Sequence, residues 1–231
     1  VNQFDINYPR TADQIVIAQN TLIRQVYAWM GGGLLLTALM AMATLSSPVL
    51  FNAIVGNRIV FYALIIGELG LVIGISRAIN KISAPVASSL FLLYAALNGV
   101  TMSVIFAIYT AESITSTFVI TAVTFGAMSV FGYVTKRDLS GWGSFLFMGL
   151  IGIVIASLVN IFVGSSAVSW IISVIGVIVF TGLTAYDTWK IKAMAAAGAE
   201  GRKPAILGAL TLYLDFINLF LMLLRLLGNR R

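Results

Sequence analysis

The chain has 231 residues, of which 60% are hydrophobic and 10% charged, with a net charge of +6; a soluble domain has roughly 45–50% apolar and about 25% charged residues. Cysteine and histidine are both absent, which excludes disulfide stapling, thiolate chemistry, imidazole catalysis and histidine-containing zinc sites. Carboxylates are left as the main titratable groups near neutrality, and the basic residues, scattered between apolar stretches, read as topology markers and not as a nucleic-acid surface.

Residues 1–20, with Asp5, Arg10 and Asp13 and no continuous apolar core, do not read as a cleaved signal peptide. Residues 1–24 are expected to form a short cytoplasmic arm, and residues 25–231 one transmembrane domain. Seven apolar stretches follow, approximately 26–45, 59–76, 86–109, 117–135, 143–163, 168–189 and 205–227. Each has the length a helix needs to cross the hydrocarbon. They are solidly apolar and do not alternate as barrel strands would, so the fold class expected is all-α, a bundle of seven transmembrane helices. With the amino terminus inside, ten Lys and Arg fall on the cytoplasmic side: Arg10, Arg24, Arg77, Lys81, Lys136, Arg137, Lys190, Lys192, Arg202 and Lys203. Arg58, Arg225, Arg230 and Arg231 fall outside, which puts the carboxy terminus outside. A re-entrant last segment would move three of these arginines inside, but Ala205 to Leu227 is proline-free and long enough to span.

Inside the spans, small residues recur at Gly31–Gly33, Gly67, Gly70, Gly74, Gly149, Gly152, Gly176 and Gly182. These favour close helix packing, with a hinge as the lesser reading. Thr121, Thr124 and Ser129 are expected to hydrogen-bond between helices. The second span carries Glu68, which lines a site, serves as a second gate, or is satisfied by neighbouring helices. At its inner end stands Arg77, which is either a topology marker or a latch on a buried acid. Asn98 and Asn160 complete the polar inventory before the last two spans.

Those last two spans carry the candidate chemistry. Asp187 lies near the inner end of the sixth, in GLTAYDTWKIK, where it is either a site residue or a solvated helix terminus. Asp215 sits in mid-span in LYLDFINLFLMLLRLLG, with Asn218 three residues on and hence on the same face. An ionisable group at that depth costs at least a few kcal/mol and marks a functional site by default, a purely structural acid being the alternative. Ten residues into its span, Asp215 is roughly 15 Å along the helix, so meeting Asp187 requires an inward-facing vestibule or a last helix that begins below the membrane surface. Two carboxylates that meet in a dry site cannot both ionise cheaply and titrate in coupled steps. They also form the nucleus of a weak calcium site, since calcium takes six to eight oxygens. A guanidinium such as Arg77 would hold the pair ionised until a proton arrives. No HExxH, GxSxG or P-loop pattern occurs, and no Gly-x-Gly-Asp run supports an aspartyl protease. The expectation is therefore no enzyme, no catalytic residue and no cofactor.

The run LTLYLDFINLFLMLLRLLG, with GLTAYDT and the connection TKRDLSGWGSFL from Thr135 to Leu146, resembles the Bax inhibitor family, the transmembrane Bax inhibitor motif proteins, and most closely its bacterial members. The likeness runs from about Leu22 onward. It implies seven helices with the last one central, in the bacterial inner membrane. It also implies a pH-sensitive calcium leak in which Asp187 and Asp215 form the sensor and Arg77 is the nearest match to the latch. The partners expected are the bilayer, calcium and protons, with no nucleic acid. A second role from another class is an interaction protein that modulates a membrane-bound quality-control protease or a stress response through its arm and loops, without ion conduction. A third, a proton-coupled transporter, needs a substrate that no residue specifies.

Overall fold

The computed structural model describes residues 11–231 and contains eight helices among them: α1 (Ala12–Ser46), α2 (Pro48–Ile54), α3 (Arg58–Ala78), α4 (Ala84–Ile108), α5 (Ala111–Val134), α6 (Ser140–Val163), α7 (Ser166–Ala196) and α8 (Arg202–Leu227). All but the short α2 are long and apolar enough to cross a membrane. The chain is an all-α, multi-pass membrane protein.

Local chemistry sets most of the helix starts. Thr11, Ser47, Asn57, Ser83, Thr110 and Ser165 each accept a first-turn amide, satisfying donors that would otherwise be orphaned at the helix end. At α6 the N-cap Leu139 has no such side chain. Here the preceding Asp138 accepts from the Ser140 amide at 2.8 Å, and that bond holds its carboxyl below the usual carboxylate range.

α8 is the axis of the bundle. It packs against α7, α1, α5 and α4, and fifteen of its twenty-six residues are buried. On α3 only Glu68 and Ile75 are buried, and on α6 only Gly143, Leu146 and Ile153. Such apolar helices leave whole faces to lipid, as Ile59, Ile161 and Phe162 do. The closest helix approaches are made at Gly99, where a Cβ would collide with the Thr37 backbone of α1, and at Gly132, where it would collide with the Ala185 carbonyl of α7.

The small-residue expectation divides. Gly33, Gly149, Gly176 and Gly182 do pack against side chains, those of Phe91, Val179, Met222 and Leu146. Gly31, Gly32, Gly67, Gly70, Gly74 and Gly152 face open space, because no other helix packs on these faces of α1, α3 and α6. The hydroxyl expectation for α5 fails at Thr121, which donates within its own helix to the Thr117 carbonyl at 2.7 Å. Ser129 has a buried hydroxyl without a hydrogen-bond partner. Back-bonding to the preceding turn satisfies a hydroxyl in lipid without any second helix.

Two helices run far beyond their expected spans, α1 and α7. The expected arm ran to residue 24, yet α1 starts at Ala12, and its 35 residues span about 52 Å at 1.5 Å per residue. Its early turns bury Ala18 and Leu22, so residues 12–24 are helical and continuous with the first span; residues 1–10 lie outside the described part. Likewise α7 continues to Ala196. The overhanging ends are tied together. Gln19 Nε2 donates to the Lys192 carbonyl at 3.5 Å, Lys192 Nζ donates to the carbonyls of Tyr133 and Thr135 at 2.6 and 3.1 Å, and the Tyr133 hydroxyl donates to Asn20.

Candidate functional site

α8 is one continuous helix, so Asp215 stands in mid-helix with no turn beside it. Because α7 runs on to Ala196, Asp187 is also interior to its helix and does not lie at a solvated end. The overhang removes the depth mismatch expected between them. α7 and α8 are closely packed, and the two carboxyls stand against each other, only 8% and 4% exposed. Asp215 Oδ2 is buried and has no hydrogen-bond partner.

Both acids line a cavity of about 480 Å³ between α6, α7 and α8. It exists because α6 packs chiefly on α7, leaving a space between α6 and α8. Ser140 and Ser144 of α6, Tyr186 and Lys190 of α7, and Thr211 and Asn218 of α8 contribute its other polar walls. The start of α6 and Lys190 mark the end of the bundle near the α7–α8 connection. That end is where an inward vestibule is expected. Asn218 shares the cavity with Asp215 as its spacing implies, but its Nδ2 donates to the Leu214 carbonyl at 2.8 Å, leaving the amide oxygen for a ligand.

The cation that lines the cavity with the pair is Lys190. Its Nζ sits 5.9 Å from the centre of the Tyr186 ring, a ring that in turn stacks on Trp189. Gly143 makes room for Tyr186, since a Cβ there would strike the phenol. Arg77 is elsewhere. It is exposed in the last turn of α3, does not line the cavity, and α3 packs mainly on α4. Neither Tyr186 nor Lys190 was singled out from the sequence for a role here, although Lys190, three residues after Asp187, lies on the same helical face.

Glu68 is not part of this cavity. It is buried on the other side of α8, where Asn98 Nδ2 and Thr101 Oγ1 of α4 donate to its carboxylate at 3.3 and 3.0 Å. The Tyr213 hydroxyl donates to Asn98 Oδ1 at 3.0 Å and lies 2.6 Å from Thr37 Oγ1. Glu68, Asn98, Tyr213 and Thr37 therefore join α3, α4, α8 and α1 in one buried polar chain. Tyr213, fully buried, carries that chain, and no pattern in its own helix points to it.

Chemically, the cavity offers two carboxylates, hydroxyls and one amide oxygen, a set suited to hydrated or partly dehydrated hard cations. Among the described residues no group of three or more His, Cys, Asp or Glu gathers as a metal site. Oxygens beyond the two carboxyls would have to come from hydroxyls, carbonyls and water, the composition of a weak site.

Residues 19–231 match the family described as Inhibitor of apoptosis-promoting Bax1. The chain is 56% identical to the inner membrane protein YbhL of Escherichia coli strain K12, over 97% of this chain and 99% of that one. It is 50% identical to an uncharacterized protein of Borreliella burgdorferi, over 94% and 96% of the two chains. A further uncharacterized protein, from Deinococcus radiodurans, is 42% identical over 100% and 98%.

Proposed function

The chain belongs to the Bax inhibitor family, and we propose that it is a pH-sensitive cation leak channel of the bacterial inner membrane, with calcium the favoured ion. Asp187 and Asp215 are the sensor and gate, and together with the Asn218 amide they form a weak calcium site. The observation that carries this reading is the pair itself: two carboxyls from adjacent helices, buried together in a cavity that also holds a lysine. Charge balance in such a site depends on how many protons the pair holds, because two like charges at contact in low dielectric repel strongly. Taking up a proton weakens the attraction between the pair and a neighbouring cation, which frees α7 and α8 to separate at the cavity. The cation that latches the pair in this reading is Lys190; Arg77 acts as latch only if α3 moves.

On the same reading the amino terminus is cytoplasmic and the carboxy terminus outside, following the excess of Lys and Arg around the α5–α6 and α7–α8 connections. The protein works without enzymatic chemistry, cofactor or nucleic acid; its partners are the bilayer, protons and calcium. The resemblance of the chain to YbhL, an inner membrane protein, supports the location. The rival reading, an interaction protein acting on a membrane protease, has no use for a buried acid pair.

The test is calcium entry into proteoliposomes across a pH series, comparing wild type with Asp187→Asn and Asp215→Asn. Flux that responds to pH in the wild type and loses that response in both variants is the expected result. Wild-type vesicles no leakier than protein-free ones would refute conduction and leave the protease-partner reading in its place.

A further inference from the structure

At the far end of the bundle from the aspartate cavity, a second polar recess of about 450 Å³ is lined by Asn160, Gly164, Ser166, Ser169, Trp170, Arg225 and Arg230. Two arginines line it, and none of its lining residues is acidic. Among the described residues, no ion pair is made by either arginine. Arg225 is in the last turn of α8. Arg230 is held beside it because the tail after α8 is pinned to the α4–α5 junction. Thr110 N donates to the Asn229 carbonyl at 3.1 Å, Asn229 N to Ser113 Oγ at 2.9 Å, and Arg231 N to the Ile108 carbonyl at 2.9 Å. The Arg230 guanidinium then lies 5.8 Å from the centre of the Tyr109 ring.

The opposite wall is equally fixed. Asn160 clamps the α6–α7 turn, accepting from Ser165 N at 3.1 Å and donating to the Ser165 carbonyl at 3.2 Å and to Ser169 Oγ at 2.7 Å. The N-terminus of α7 therefore borders the recess, with its partial positive charge adding to that of the arginines. The surroundings specify depth. Ile161 and Phe162 of α6 and Ile171 of α7 are exposed apolar residues, next in sequence to the lining residues Asn160 and Trp170, so the surface beside the recess is apolar. Trp170, 60% exposed at its rim, has the position aromatic side chains take at the membrane–water boundary.

We propose that this recess binds the phosphate of an anionic phospholipid, with Arg225 and Arg230 holding the headgroup and the acyl chains lying along the exposed faces of α6 and α7. A soluble phosphate would satisfy the guanidiniums equally well. The exposed apolar residues beside the recess are what assign the anion to a lipid. On the topology proposed above, the site belongs to the outer leaflet.

Native mass spectrometry of the full chain, released from micelles doped with equal amounts of phosphatidylglycerol and phosphatidylcholine, tests the proposal. Wild type is expected to retain phosphatidylglycerol about tenfold more than phosphatidylcholine, whose phosphate bears the same charge but whose trimethylammonium is repelled by the two arginines in a recess without an acidic residue. The double variant Arg225→Gln with Arg230→Gln should bring that ratio close to one. Arg225→Lys with Arg230→Lys, which keeps the charge and guards against misfolding of the neutral variant, should keep part of it. Adding inorganic phosphate should leave the lipid adducts in place. No preference in the wild type, an unchanged preference in the glutamine variant, or displacement of lipid by inorganic phosphate would each overturn the assignment.

Discussion

Tyr213 and Asp215, two residues apart on α8, face opposite halves of the bundle: the tyrosine hydroxyl reaches Asn98 and Thr37 on the side of α1, α3 and α4, while the aspartate meets Asp187 on the side of α6 and α7. Residues two apart on a helix are rotated by about 200°, so one turn of the central helix serves both polar sites. A rotation of α8 that relaxed one would strain the other.

That coupling makes Tyr213→Phe informative. It deletes a buried hydroxyl and leaves Asn98 Oδ1 without that donor, while Thr37 keeps the Gly33 and Ala95 carbonyls, at a cost of about 1–3 kcal/mol. A lower unfolding temperature in detergent is expected. If the two faces are mechanically linked, the pH profile of calcium flux in this variant also moves, which the proteoliposome assay reads directly.

Lys190→Met removes the cation nearest the acid pair. Protons then meet less competition at the site, so the flux profile of this variant should shift toward higher pH. Arg77→Met, altering an exposed side chain outside the cavity, should leave the profile within experimental error of wild type. The reverse ranking would restore Arg77 as latch.

Glu68 is one of only two buried residues on α3, and its carboxylate takes both the Asn98 and Thr101 donors. Glu68→Ala should therefore loosen α3 from α4 while leaving α7 and α8 unaffected. Faster amide hydrogen exchange confined to α3 and the facing part of α4 is the expected signature. Glu68→Gln, which keeps an acceptor oxygen, should exchange at nearly the wild-type rate.

Helix contact through glycine gives a stability contrast. Gly99→Ala drives a methyl into the α1 backbone and is expected to cost about 1–3 kcal/mol, the range for overpacking a tight interior. Gly70→Ala points into lipid, and its unfolding temperature should match or slightly exceed wild type because alanine favours helix.

The seven spans were legible in the sequence because length and apolarity alone decide them, and Asp215 stood out because a charge in mid-span needs a reason. Asp187 was harder to read. Its distance from the end of α7 depends on how far that helix runs past the membrane, and hydropathy falls away at Lys190 and Lys192 although the helix does not. The start of α1 did leave a local signal: Thr11 followed by Gln14 is a capping box, formed by the Thr11 amide donating to Gln14 Oε1 and the Gln14 amide to Thr11 Oγ1. The partners of Glu68 left none: Asn98 and Thr101 stand on the next helix, and only the packing of α3 on α4 brings them to it. The glycines that matter most for packing, Gly99 and Gly132, are single residues outside the clusters that drew notice.

The overhang of α1 changes how the amino terminus can be probed. Ala18 and Leu22 are buried in the body of the protein, and Gln19 and Asn20 fasten it to α7 and α5. Removing residues 1–20 would thus cut into a load-carrying strut and confuse lost folding with a lost binding partner. A truncation that ends before Thr11 spares the strut and isolates whatever the leading peptide does.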